Sequence, residues 1–289
     1  MRLFFCSILF FTTATGSAGS WAWDDGTVPF VVSPDAVVER MLYLAQPRAG
    51  ERLVDLGSGD GRIVIEAAKR FGAKGLGVEI DPRLVDLARV RAKQAGVESL
   101  ASFEIQDLFE TDLRGVNVVT MYLLPEVNLQ LLPRLIAQLK PGARIVSHDY
   151  DLGPWPFDEM IELPLAEKMV GSNGRSRVFL WLVPAEARGR WIAELPEFGG
   201  RWQFDIAQKF QILDVDARLV NSAGGGNMVV RGARLRGEEI RLAITGVIDD
   251  KGYNTLFAGK VADGRIEGSL RLSDGENSKT IPWKATRQP

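Results

Sequence analysis

The sequence predicts a Rossmann-like α/β sheet followed by an antiparallel β domain, a barrel or a sandwich. Three observations carry this expectation. The apolar run Leu53–Leu56 leads into Gly57-Ser-Gly-Asp-Gly61 and then into an amphipathic stretch from Arg62 to Phe71, which is strand, glycine loop and helix. Strand and helix patterns go on alternating to about residue 150. From about Trp191 the alternation stops, and short β-branched segments separated by turn signals replace it.

The chain has 289 residues, enough for one large or two ordinary domains, and its 46% hydrophobic content supplies ample core material. Its net charge of -2 gives no basic field for nucleic acid. The single Cys6 and single His148 exclude a Cys/His metal cluster and Cys-based catalysis, so no metal is expected.

In chain order, Arg2 precedes an apolar run, Leu3 to Phe11, and then a small, polar stretch to Ala22. Residues 1–22 therefore read as a secretory signal or, as the alternative, an uncleaved membrane anchor. Either reading expects an exported (periplasmic) or membrane-anchored protein, with a cytosolic one left open. Ser33 is placed to cap a helix beginning at Pro34, whose apolar face is Val37, Val38, Met41, Leu42 and Ala45. Phe30 and Val31 either line the mouth of a site or staple this helix. Gly75–Glu79 is a second strand, and Asp81 caps a helix from Pro82 to Ala95. Ser102–Asp107 is a third strand and Val116–Tyr122 a fourth, followed by a helix over Glu126–Leu139 that Pro133 interrupts. Arg144–His148 is a fifth strand. Two more, around Met160–Leu163 and Arg177–Val183, form a hairpin turned by 171–174. Pro184–Arg190 reads as a linker, dividing a domain over 23–185 from a β-rich domain over 190–289. In the latter, turns fall at 224–226, 249–252, Asp263-Gly264 and Asp274-Gly275.

The acids near the glycine loop choose the ligand. The loop is G-x-G-x-G, not the dinucleotide G-x-G-x-x-G, and Asp60 inside it would repel a pyrophosphate. S-adenosyl-L-methionine (SAM) carries no phosphate. It offers an ammonium, a carboxylate, a sulfonium and a ribose diol, so acids suit its cationic parts and loop N–H groups suit its carboxylate. Glu79 lies about 20 residues past the loop, where an acid accepts from ribose hydroxyls. Asp107, ending its strand, is placed to accept from an adenine amino group or to cap the next turn. The cofactor-binding candidates are thus Asp55, Gly57, Ser58, Gly59, Glu79 and Asp107.

Residues Val28 to Trp155 resemble the lysine methyltransferases of the mitochondrial ATP synthase c-subunit and of the adenine nucleotide translocase, with their bacterial relatives. The pieces that carry the resemblance are Pro29–Pro34, Asp55–Val64, Gly77–Pro82, Val119–Pro125 and Ser147–Asp149. The resemblance implies a seven-stranded class I methyltransferase fold, SAM as cofactor and a protein-lysine substrate. The apparent export signal and the C-terminal β region depart from that family.

Methylation of lysine requires removal of a proton from a group whose free pKa is ~10.4. Tyr122, Glu126 and Asp149, near strand ends, are the candidates to take up that proton or hold the amine. His148 reads as a hydrogen-bonded structural residue, and Trp155 as a lid or core residue. Two alternatives stay open: methylation of a small molecule, and an exported binding module that kept the fold without catalysis. Nucleic-acid methylation is disfavoured, because no Asn/Asp-Pro-Pro-Tyr segment follows the fourth strand. A membrane protein is one expected class of partner.

Overall fold

A computed structural model describes residues 30–165, 174–220, 228–248 and 251–289. The leader read over 1–22, most of the lead-in, the whole turn read at 224–226 and parts of those read at 171–174 and 249–252 lie outside the described residues. Val32–Pro289 forms one compact unit containing two sheets.

The first sheet is mixed and seven-stranded. Its parallel part is built from β1 (Arg52–Leu56), β2 (Lys74–Glu79), β3 (Ala101–Ile105), β4 (Val118–Met121) and β5 (Arg144–His148). A hairpin of β6 (Glu159–Pro164) and β7 (Arg175–Leu182) closes it, with β7 antiparallel to β5. The order β3-β2-β1-β4-β5-β7-β6 is the Rossmann-like arrangement expected. Leu53, Val54 and Leu56 are fully buried, as a strand covered on both faces requires.

Helices α1 (Asp35–Ala45), α2 (Arg62–Phe71), α3 (Pro82–Gln94) and α4 (Pro125–Gln138) accompany these strands. Asp81 caps α3 as expected, accepting from Arg83 N at 2.8 Å. The cap expected at Ser33 is corrected. Helix α1 begins one residue later than predicted, with Pro34 at the N-cap position and no side-chain cap. The Ser33 hydroxyl is instead used elsewhere, as described below.

The second sheet is antiparallel and eight-stranded: β8 (Gly189–Leu195), β9 (Gly200–Lys209), β10 (Ile212–Val220), β11 (Val229–Arg236), β12 (Glu239–Ile248), β13 (Lys251–Ala262), β14 (Arg265–Ser273) and β15 (Ser278–Arg287). Its order, β10-β9-β8-β15-β14-β13-β12-β11, makes it an up-and-down meander whose first and last strands pair. The edges β10 and β11 lie side by side, which leaves the barrel nearly closed. Trp191, Trp202, Phe204, Phe257 and Trp283 fill its interior and are each almost fully buried. The rings of Trp202, Phe204, Phe257 and Trp283 meet mainly in tilted and edge-on pairs, each worth ~0.5–1.5 kcal/mol beyond area burial.

Candidate active site

The ends of β1, β2, β4 and β5 bring the cofactor and acceptor candidates to one edge of the parallel sheet. Gly57, Gly59 and Gly61 all have positive φ, which a non-glycine residue adopts at a cost. Gly57 also makes room: a Cβ there would fall 2.8 Å from Leu123 Cδ2, so the glycine loop lies directly against the segment that follows β4. Gly77 does the same on β2, where a Cβ would lie 2.6 Å from the Ser58 hydroxyl.

Glu79 is the organising acid. Its carboxylate accepts from Gly59 N at 3.0 Å, Ile80 N at 2.8 Å and Asp81 N at 3.1 Å. Asp55 is buried beneath the loop and accepts from Thr120 Oγ1 at 2.7 Å. Burial raises its pKa to about 7; Thr120 opposes this, and the charges of Asp60 and Glu79 add to it.

Three expectations about the loop are revised. Asp60 is not an acid waiting for a cation. Its carboxylate pairs with both Arg62 and Arg91; burial pushes its pKa up, and those two guanidiniums outweigh burial and hold it below the usual range. The loop N–H groups are also largely engaged, since Gly57 N and Ser58 N donate to Val78 O and Gly59 N to Glu79. Asp107 takes the capping alternative, accepting from Phe109 N at 2.9 Å while remaining exposed.

These residues fit SAM. Two buried or half-buried carboxylates face the glycine loop, and three positive-φ glycines leave that loop bare at 57, 59 and 61. The Ser58 hydroxyl is buried with no hydrogen-bond partner. Ile80, directly after Glu79, is 69% exposed, an apolar surface that an adenine ring would cover. Sequence reasoning did not single out Ile80. Its position next to Glu79, the acid expected to meet the ribose, was the available signal.

Two of the residues expected to act on the acceptor, Tyr122 and Asp149, gather at His148. Its Nδ1 lies 2.9 Å from Ser33 Oγ and its Nε2 3.0 Å from Ser176 Oγ, so two hydroxyls fix a fully buried ring. Tyr122 packs on that ring with centroids 3.9 Å apart, and Tyr150 stacks beyond it at 6.3 Å. The Tyr122 hydroxyl points to Asp149 Oδ2 at 3.4 Å. Burial first, and then the Asp149 charge, raise the Tyr122 pKa, so the phenol is a donor and not a proton acceptor at neutral pH. Asp149 itself sits at φ +62°, held by Arg177 through Asp149 N→Arg177 O at 2.7 Å and Arg177 N→Asp149 Oδ1 at 3.0 Å. Non-glycine residues rarely adopt that backbone, and outliers of this kind cluster at functional sites.

Glu126 is not drawn into this group. It is exposed on the first turn of α4 and makes no hydrogen bond or ion pair among the described residues. Trp155 is a core residue and not a lid, being 1% exposed with its backbone N–H, carbonyl and indole N–H all bonded. Ser176, Asn128 and Tyr150 carried no motif and were missed, while Ser33 and Thr120, which lie in the resembling pieces, were not given these partners. Their roles arise from tertiary pairing with residues far away in the chain. A polar cleft of about 580 Å³ lies at the opposite ends of the strands, lined by Arg48, Glu51, Arg144, Arg236 and Lys260 among others. Arg144 pairs with Glu51 there and Arg236 with Glu159, so it is not where the chemistry gathers.

A model described as the ANTKMT methyltransferase domain matches residues 55–159. The chain is 40% identical over 157 residues to a protein-lysine N-methyltransferase of Saccharolobus islandicus, spanning 54% of this chain and 94% of that protein. It is 32% identical over 195 residues to the ATP synthase c-subunit lysine N-methyltransferase of Mus musculus, spanning 65% and 75%. A crystal structure described as an RNA methyltransferase from Salinibacter ruber with S-adenosyl-L-homocysteine shares 49% identity over 54% of this chain and 95% of that one, with a TM-score of 0.48. The match to nearly the whole Saccharolobus protein, on a fold with its glycine loop and acids in place, makes this chain a member of the protein-lysine N-methyltransferase family, a SAM-dependent methyltransferase.

Proposed function

We propose that the enzyme transfers a methyl group from SAM to the ε-amine of a lysine in a protein. The observation that carries this reading is the Tyr122–His148 stack with Asp149 at its edge, lying against the cofactor loop through Leu123 and Gly57. Aromatic faces attract an ammonium, and a buried carboxylate beside them accepts its proton. The names of the relatives above support the same acceptor.

In this reading, Asp55 meets the ammonium of SAM, Glu79 the ribose hydroxyls and Ile80 the adenine, and the Gly57–Gly59 backbone gives close approach. Bound SAM supplies the methyl group already activated on a sulfonium. The chain's own work is then alignment and proton removal. Asp149 Oδ2 takes the proton from the lysine ammonium. The Tyr122 hydroxyl, held protonated, donates to that carboxylate and keeps it oriented. His148 acts through Tyr122 as a positioning residue, since its own nitrogens are occupied by Ser33 and Ser176.

Tyr122→Ala should lower methyl transfer by about tenfold or more while leaving SAM affinity nearly unchanged, and Tyr122→Phe should retain more activity than Tyr122→Ala. Parallel losses of transfer and SAM affinity in Tyr122→Ala would move Tyr122 to the cofactor side. We further propose that residues 1–22 direct the chain to the membrane or beyond it, on the strength of Arg2 and the apolar run Leu3–Phe11. N-terminal sequencing of native protein should find a processed end or a membrane-bound one. An intact Met1 on a soluble cytosolic protein would sink that proposal.

A further inference from the structure

The barrel's packed interior leaves its contribution to be sought where it meets the first sheet. Strands β9 and β10 are joined by the two-residue turn Phe210–Gln211, with Lys209 paired to Ile212 across it. Such turns favour Asn and Gly. Here Phe210 stands at φ +55°, a backbone that a bulky side chain rarely adopts. Its side chain is half-buried. It stacks on Trp155 at 5.5 Å, nearly parallel at 8°, and packs on the core of the first sheet. The neighbouring Gln211 grips the same dipeptide from the other side: its Oε1 accepts from Trp155 Nε1 at 2.9 Å, and its Nε2 donates to Pro156 O at 2.5 Å.

Trp155–Pro156 closes the segment that starts at Asp149. That segment carries Tyr150, whose carbonyl accepts from Ser147 Oγ at 2.6 Å and from Asn128 Nδ2 at 3.3 Å. Trp155 O in turn accepts from Trp181 Nε1 at 2.9 Å. The segment is therefore pinned at its start by β5, β7 and α4, and at its end by the barrel. A strained turn whose two side chains both serve one distant dipeptide is a feature the rest of the barrel does not need for its own stability.

We infer that the barrel is a positioning element for the acceptor side of the active site. The Phe210–Gln211 turn clamps Trp155–Pro156 and so fixes the segment bearing Asp149 and Tyr150. This rests on the acceptor-site reading above, and Phe210 and Gln211 are positioning residues in it, touching neither reactant.

The test uses full-length Phe210→Ala, Phe210→Tyr and Gln211→Glu. Transfer of labelled methyl from SAM to a membrane-protein fraction should fall about tenfold or more in Phe210→Ala with SAM affinity unchanged, and Phe210→Tyr should restore it. Gln211→Glu keeps the acceptor for Trp155 but loses the donor to Pro156. It should speed amide exchange across residues 149–157 and leave the loop at 57–61 as protected as before. Wild-type transfer in a folded Phe210→Ala, or a matching loss of SAM affinity, would overturn the clamp. Unchanged exchange over 149–157 in Gln211→Glu would overturn it even where Phe210→Ala fails to fold. If the wild-type chain labels no protein lysine, the acceptor reading fails by itself, and exchange alone decides the clamp.

Discussion

At the residue scale, two acids near the cofactor loop have different duties. Asp55 is buried, and its pKa of about 7 lies well above the ordinary 3.8. Folding therefore favours its protonated form. That contribution to stability is complete below about pH 4 and is lost as pH rises to about 7. A bound ammonium reverses the preference and ionises the group. SAM binding near pH 6 should then release roughly one proton, seen in calorimetry as a heat that changes with the buffer's ionisation enthalpy. Asp55→Asn should abolish that dependence. Glu79 differs because its carboxylate already accepts from three backbone N–H groups and so shapes the loop as well as the ligand site. In the same calorimeter Glu79→Ala should weaken SAM by ~1–3 kcal/mol, the usual loss when polar groups are left without a charged acceptor. Unchanged affinity in a folded Glu79→Ala would remove the ribose assignment, and a buffer-independent heat in the wild type would remove the ammonium from Asp55.

At the element scale, the strand–loop–helix unit was legible because its signal is local. The apolar run, the glycines and the helix from Arg62 to Phe71 sit side by side in the chain, and the structure returns that helix with the predicted ends. Strand β8 was not legible as a strand. Its seven residues, Gly189–Leu195, begin inside the stretch read as a linker and show little alternation. What makes it a strand is hairpin pairing to β9, which follows it, and to the end of β15, far away in sequence. Ser33 was misread for a related reason, because a serine before a proline is a local helix-start signal, and a buried imidazole 115 residues away outcompetes it for the hydroxyl. The Asp263-Gly264 turn was read correctly, both residues taking positive φ. The segment before β8 is also tied down more firmly than a linker: Ala185 N donates to Gly237 O, Ala187 N to Gln208 Oε1, and Gln208 Nε2 back to Ala185 O. Trypsin should therefore spare Arg188 and Arg190 in the native chain. Rapid cleavage at both, releasing a SAM-binding fragment that ends near residue 185, would show two loosely joined domains instead.

At the scale of the whole molecule, a methyltransferase sheet presents its reactive edge while a filled barrel props one segment of that edge. The barrel's aromatic core leaves it the character of a packed support and not of a ligand container. The glycine loop expected to meet the cofactor was readable from the sequence, since its motif is contiguous. The acceptor side was readable only as separate residues, because Tyr122, His148 and Asp149 become a site through a ring stack and a left-handed backbone that no spacing announces. What unites these levels is the proposal that a lysine is received by that stack and its carboxylate. The decisive measurement is peptide mass spectrometry after incubating membrane proteins with SAM and either the wild-type enzyme or Asp149→Asn. Methyl mass should appear on protein lysines with the wild type and be lost in Asp149→Asn at undiminished SAM affinity. Methyl groups found only in RNA or small metabolites, or wild-type lysine methylation by Asp149→Asn, would contradict it.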